Sequence, residues 1–597
     1  LKPFRQQLCG FEVLGPRSVI SISLRPVIMQ GYVSPLREIH APLAKLPGRN
    51  ELPVCSGSLL LRPSTVAPTS SAAACSPIPK GLAVAVGLIS GWSKRSSHAR
   101  AMTRHATSSP KFASMLSLQP SWQKALGEIK AEAHHRLRSS KKASWDFGVV
   151  FITGHEGSSV AVITAQLDRA LGTQGKLVGV AVDSSSGQTM QGEQSRAHAG
   201  TKSGITVLAV QLPEGSTQKA TPFFIDKKGL TGVSHTIMRL QSRVRVKGAM
   251  ENATPRGWRE YLGVNDQPRP KGILLFVDPV AGKYATQAVL DGLDIAFPEA
   301  AKFGCVCADL PPTISGISAA IGENGFRPLS PGVCGLILPA DISLHTVVSP
   351  SSVRIGPELR LTLADGYLVK EINGESPAKA LAEVSRGAGP LEQLLVERSG
   401  FLLGLEAPRQ HSEKKVWDGA ESWGTSERAQ SYTSMMKQSA SSDWLVRSIE
   451  PSANGTLVVR REDLKKVPRR VGPAWFRCQL HVLDLRWARK ELQLMLQRYL
   501  SLRMFLQNLQ APFGALVCQC STTVGSKESE ESELGYMELS NVLGKDLPIT
   551  GALTNGEVAP PGIYMGGLDG KRTTRQGHTV SMCLFSYEPT NKDEADK

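Results

Sequence analysis

Two pairs of cysteines spaced by one residue, Cys305-Val306-Cys307 and Cys518-Gln519-Cys520, carry the most reactive side chains of this 597-residue chain. Each pair closes a short apolar run that reads as a strand. Residues i and i+2 of a strand share a face, so both thiols of a pair point the same way. Two such pairs brought together could form a four-thiolate zinc site. Structural zinc sites, however, use a wider spacing of roughly two to four intervening residues, and cysteine is a common small hydrophobe of cores, so no metal is expected. The second chemistry is nucleophilic. Cys520 or Ser521 at a strand end, with His578 or His481 as base, is an acyl-transfer constellation. The Gly-x-Ser-x-Gly elbow is missing, and no Cys/His spacing identifies the base. Gly-x-Gly-x-x-Gly and Walker-type loops are also missing, so neither a nucleotide nor another cofactor is indicated. The third chemistry is recognition, at Thr554-Asn555-Gly556-Glu557. Asn555 offers both donors and acceptors. Gly556 lets backbone approach a bound molecule closely. Glu557 could pair with an ammonium group.

These residues fall at the ends of a pattern that occurs three times. Phe147 to Thr153 reads as a strand, Ser158 to Leu171 as a helix, and Leu177 to Val182 as a strand ending in Asp183-Ser184. Gly272 to Val277, Lys283 to Phe297 and Phe303 to Cys307 repeat it, ending at Asp309. Phe513 to Cys520, Tyr536 to Leu543 and the run through Ile549 repeat it again. Continuous apolar runs alternating with amphipathic helices predict parallel strands buried on both faces. The expected fold is α/β, with two linked domains of repeated strand-helix-strand units and mixed, largely parallel sheets. Ligands of such sheets sit beyond the carboxyl ends of the strands. That rule selects Asp183, Ser184, Asp309, Ser521, Asn555, Gly556 and Glu557 as site lining. Gln188 to Ser203 reads as a polar loop, and Pro213 to Pro270 as irregular. Arg486 to Gln510 is the longest helix expected.

The net charge is +17, and its placement decides its meaning. From Leu1 to Gly127 the only acids are Glu12, Glu38 and Glu51. The excess therefore sits in an N-terminal extension, residues 1–120, whose composition fits a transit peptide to a plastid or mitochondrion. Without such a role the expected place is the cytoplasm. No basic helix with interleaved aromatics stands out, so nucleic acid is not an expected partner. The ten cysteines form no disulfide framework and suggest a reducing compartment. No run approaches the roughly 18 apolar residues of a membrane span. After the extension, residues 121–378 form one expected domain and 379–590 a second, with a polar insertion at 406–442 and a charged tail at 591–597.

The order of several motifs resembles the FIST family (F-box and intracellular signal transduction proteins), in both its N-terminal and C-terminal domains. Asp146 to Thr153 with Leu177 to Gly187 looks like the opening of the N-terminal domain. Ala296-Phe297-Pro298-Glu299-Ala300 with Phe303-Gly304 is similar to its AFPxAxxxG element. Val347-Val348-Ser349 with Gly356-Pro357 occupies the place of its VSQGCRPxGP element. Leu368 to Leu381 looks like the segment joining the two domains. Ala515 to Ser521 and Pro548 to Glu557 resemble core motifs of the C-terminal domain. No F-box is evident. The family's cysteine position holds Ser352, and its arginine has moved or been lost; Arg354 could hold a carboxylate in a bidentate pair. The resemblance implies a sensory protein that binds a small molecule, an amino acid or similar compound, and signals through a protein partner. The alternatives are a hydrolase or acyl-transfer enzyme using a strand-end Cys or Ser, and a non-catalytic scaffold with a vestigial pocket.

Overall fold

The apolar runs that alternate with amphipathic helices fold into three strand–helix–strand units. Strand Phe147–Thr153, helix Val160–Leu171 and strand Leu177–Ala181 make the first; Gly272–Val277, Thr286–Ala296 and Ala301–Val306 the second; Gly514–Cys520, Leu534–Leu543 and Ile549–Thr554 the third. In each unit the two strands pair in parallel and every strand residue is buried. Helix Val160–Leu171 shows the logic. Its Ile163, Leu167 and Leu171 pack on the sheet, and Gly172, at φ 72°, ends it in the left-handed cap that glycine favours.

In this computed structural model residues 109–588 are described, apart from 139–142, 156–158, 199–201, 243–253, 265–268, 309–315, 321–324, 329–331, 407–443, 460–475, 506–509, 524–533, 566–572 and a few isolated positions. Thr103–Lys597 forms one compact unit. Three sheets and a closed barrel organise it. The first sheet runs Lys111–Ser117, Gly204–Gln211, Phe147–Thr153, Leu177–Ala181, Ile317–Ala320, Phe326–Pro328. The second runs Thr574–Arg575, Glu557–Ala559, Ala301–Val306, Gly272–Val277, Val333–Ile337, Thr221–Ile225. The third runs Ile563–Tyr564, Ile342–Pro350, Thr579–Tyr587, Gly514–Cys520, Ile549–Thr554, Ser184–Gln188, Gln194–His198. The barrel comprises Ser352–Asp365, Leu368–Ile372, Leu457–Val459, Trp444–Pro451, Leu402–Glu406 and Phe476–Leu483.

The α/β class and the mixed sheets stand, but the expectation of largely parallel pairing is corrected. Among the described residues parallel ladders occur only inside the three units, and the strands flanking them pair antiparallel. The flanking strands return without a crossover helix, as Gly204–Gln211 does beside Phe147–Thr153. The second and third sheets also draw strands from both sides of residue 378: Ser184–Gln188 pairs with Ile549–Thr554, and Glu557–Ala559 with Ala301–Val306. One apolar core joins all three sheets, from Phe147 and Phe276 to Leu516, Cys583 and Phe585.

Three stretches differ from expectation. Lys111–Ser117, placed in the extension, is an edge strand whose Phe112 packs against Phe585. The polar loop contains strand Gln194–His198. The irregular stretch contains strand Thr221–Ile225 and helices Lys227–Ser242 and Pro255–Tyr261. The residues before Ser109, the stretch 407–443 and the tail lie outside the described residues.

Candidate functional site

The polar tips of the three units converge. At the first, Ala181 O accepts from Ala308 N at 3.0 Å, which ties it to the second. At the third, Asn555 N donates to Val306 O at 3.1 Å, and Val306 N donates to Gly556 O at 2.8 Å. The Asn555 amide donates to Cys307 O at 3.3 Å, and Ser521 Oγ donates to Asn555 Oδ1 at 3.5 Å. Gly556, at φ 129°, makes a turn that a side chain would strain. The structure thus brings Ser521, Asn555, Gly556 and Glu557 to one tip, while Ser184 pairs with Leu553 on the neighbouring strand and Asp183 directly precedes it. Asp309 lies outside the described residues. Arg354 sits elsewhere, exposed on a barrel strand opposite His481.

Glu557 is fully buried and does not wait for an ammonium group. Its carboxyl accepts from Thr579 Oγ1 at 2.6 Å and from Thr554 Oγ1 at 3.4 Å. Burial pushes this carboxyl up to about 8, although both hydroxyls and the Arg575 charge pull it down. The Arg575 guanidinium itself donates to Asn555 O at 3.1 Å. Beside Glu557 lies a chain of polar contacts. Cys520 Sγ is 3.0 Å from Thr522 Oγ1, Thr522 Oγ1 is 3.0 Å from His578 Nδ1, and His578 Nε2 is 2.9 Å from Ser448 Oγ on the barrel. His578 therefore reaches Cys520 through Thr522, a connection that sequence spacing did not reveal. Cys520 is buried, and burial with the nearby Glu557 raises its thiol against the opposing pull of Thr522 and the His578 backbone N–H. The other candidate base, His481, contacts Ser352 Oγ at 3.1 Å and is depressed to about 3 by burial, with Arg354 adding to it.

The two Cys-x-Cys pairs do meet, because the second and third sheets face each other across the core. Cys305 hydrogen-bonds Cys518, and this contact, with burial next, raises Cys305 well above the usual thiol range. Among the described residues no cluster of three or more His, Cys, Asp or Glu is placed to hold a metal ion.

On the opposite face of the third sheet lies a shallow, solvent-open cleft. Three neighbouring strands supply most of its lining. Val517 and Gln519 come from one strand and Gly551 and Leu553 from its parallel neighbour; Ser184 and Ser186 come from the antiparallel strand beyond. Ser185, Ala552, Arg196 and Tyr536 complete the walls. A Cβ on Gly551 would sit 2.5 Å from Ser186 Oγ, so a side chain here would push that hydroxyl aside.

The fold and this junction define an α/β protein whose N-terminal segment is built into the sheets of the following one. Residues 146–375 match the family model of the FIST N domain. That stretch of the chain is thus similar to the FIST N domain, a domain associated with signal-transduction sensing. No curated protein matches the chain.

Proposed function

We propose that this protein is a small-molecule sensor whose ligand occupies the cleft between the Ser184–His198 hairpin and strands Gly514–Cys520 and Ile549–Thr554. The observation that carries this reading is the origin of the walls. Ser184, Ser186 and Arg196 belong to the FIST N domain, whereas Val517, Gln519, Tyr536 and Gly551 come from the segment after it. A bound molecule therefore ties two parts of the chain together, and its presence is reported as a change in how firmly the hairpin is held. Two hydroxyls, a carboxamide, a phenol and a guanidinium beside Val517 and Leu553 suit a small polar molecule with an anionic group, amino acids among them. The output passes to a protein partner.

The test is a thermal-shift screen against amino acids and related metabolites. Ligand at 100 times its dissociation constant stabilises the native state by roughly 2.7 kcal/mol. Gly551→Val fills the cleft against Ser186 and abolishes the shift. A shift retained in folded Gly551→Val removes the cleft as the site, and no shift from any compound favours the scaffold reading.

A second reading, acyl transfer, is supported by the contact chain from Cys520 through Thr522 to His578. Loss of ester or amide turnover in Cys520→Ala, with ligand-induced stabilisation retained, separates it from the first.

A further inference from the structure

Helix Leu485–Phe505 covers the outer face of the third sheet. Ala488, Leu492, Met495, Leu496 and Tyr499 form its buried side. The opposite side is unusual in two ways that coincide. It exposes large apolar groups, Trp487 at 38%, Leu494 at 44% and Met504 at 74%. It also carries the cations: Arg486, Arg489 and Lys490 are exposed, and Arg498 is half-buried beside the same stripe. The helix has five Lys or Arg against one acid, Glu491, and that acid is on the buried side. Asp484, just before the helix, is engaged at its start, accepting from the backbone N–H groups of Arg486 and Trp487. Arg489 is paired at 3.2 Å with Glu538 of the neighbouring helix, which leaves Arg486 and Lys490 as the outermost charges around Trp487.

We infer that this face rests on an anionic membrane surface. Charge alone fits any acidic partner. The combination of an outward Trp with Leu and Met at helical spacing, flanked by cations and free of exposed acids on the helix, fits a surface that is apolar beneath and anionic at its headgroups. The helix lies on such a surface and does not cross it: among the described residues no helix is long and apolar enough to span a membrane. This placement is independent of the ligand cleft.

The experiment uses the full chain with vesicles of phosphatidylcholine alone or mixed with phosphatidylserine. Each cation near an anionic surface contributes about fivefold to binding, so the double variant Arg486→Gln/Lys490→Gln binds mixed vesicles about 25-fold more weakly. Binding falls in high salt. The cationic stretch Leu1–Gly127 is common to all variants, so a local readout is also needed. Lipids brominated along the acyl chain quench the wild type more than Trp487→Phe, because Trp487 enters the interface. Equal quenching in the two proteins, or an unchanged affinity of the double variant, overturns the inference. So does selective capture of an acidic peptide by this face without vesicle binding.

Discussion

Glu557→Gln is expected to stabilise the protein, and to do so more as the pH rises. The native state buries the Glu557 carboxyl completely and lifts it from the usual 4.5 to about 8. Between those values the native state holds a proton that the unfolded chain has released, so the unfolded state binds fewer protons and stability falls as pH rises. Each unit is worth about 1.4 kcal/mol. At pH 7 the cost is about 3 kcal/mol, and above pH 8 it levels off at about 5 kcal/mol. Glutamine has the same shape and no charge to desolvate. It offers one acceptor to Thr579 or Thr554, as the protonated acid does.

The competing account makes Glu557 an anion paired with Arg575. It predicts the opposite sign: the substitution would then strand a buried cation and destabilise by roughly 3–5 kcal/mol, with stability lost in acid. Burial outweighs Arg575 here, and the guanidinium donates to the Asn555 carbonyl. Urea unfolding of both proteins from pH 4 to 9 decides. The variant should match wild type near pH 4 and gain steadily from pH 5 to 8. A pH-independent difference, or a variant that is weaker at pH 9, refutes the reasoning.

Other outcomes follow from buried charge elsewhere. Lys302 is 1% exposed, bonded to Asp294 at 2.9 Å and to Phe297 O, so Asp294→Asn leaves a buried cation without its counter-charge and should cost about 3–5 kcal/mol in urea unfolding. His345, beside the Tyr499 hydroxyl, is depressed by burial to about 4. The unfolded chain then binds the extra proton first as pH falls below about 6.5, so stability declines towards pH 4 by about 3 kcal/mol, and His345→Gln should flatten that slope in the same titration.

The three strand–helix–strand units were readable because strands buried on both faces are continuously apolar and their helices are not. Phe147–Thr153 and Gly272–Val277 have no competing reading. Strand Ser184–Gln188 was hidden for the opposite reason. Its sequence, Ser-Ser-Ser-Gly-Gln, has no strand propensity, and only pairing with Ile549–Thr554 makes it one. That strand supplies one wall of the cleft through Ser184, Ser185 and Ser186, of which the sequence singled out only Ser184. Thr221–Ile225 escaped in the same way, as an edge strand opening with Thr-Pro. At the tip, residue types suggested an accessible carboxylate at Glu557, but accessibility is a tertiary property. The pairing of Glu557 with Cys305 across the second sheet buries it. The relay to His578 depends on the barrel strand that carries Ser448, far away in sequence.

One strand serves both faces of the junction. In Ile549–Thr554, Gly551 and Leu553 line the cleft, while Thr554 reaches Glu557 on the other side. A ligand that holds the Ser184–Gln188 strand against Gly551 also holds the strand end that supports the protonated carboxyl. If the proposed ligand occupies the cleft, binding and protonation are coupled, and coupling between two equilibria is reciprocal. Ligand affinity should weaken as pH rises through about 8 in the wild type, because ionised Glu557 loosens the tip, and the same ligand should raise the apparent pKa of Glu557 further. In Glu557→Gln the affinity should be flat across that range. Calorimetry at pH 6 and pH 9 on both proteins measures it. An affinity that falls equally in the two proteins assigns the pH dependence to the ligand or another group, and uncouples the cleft from the tip.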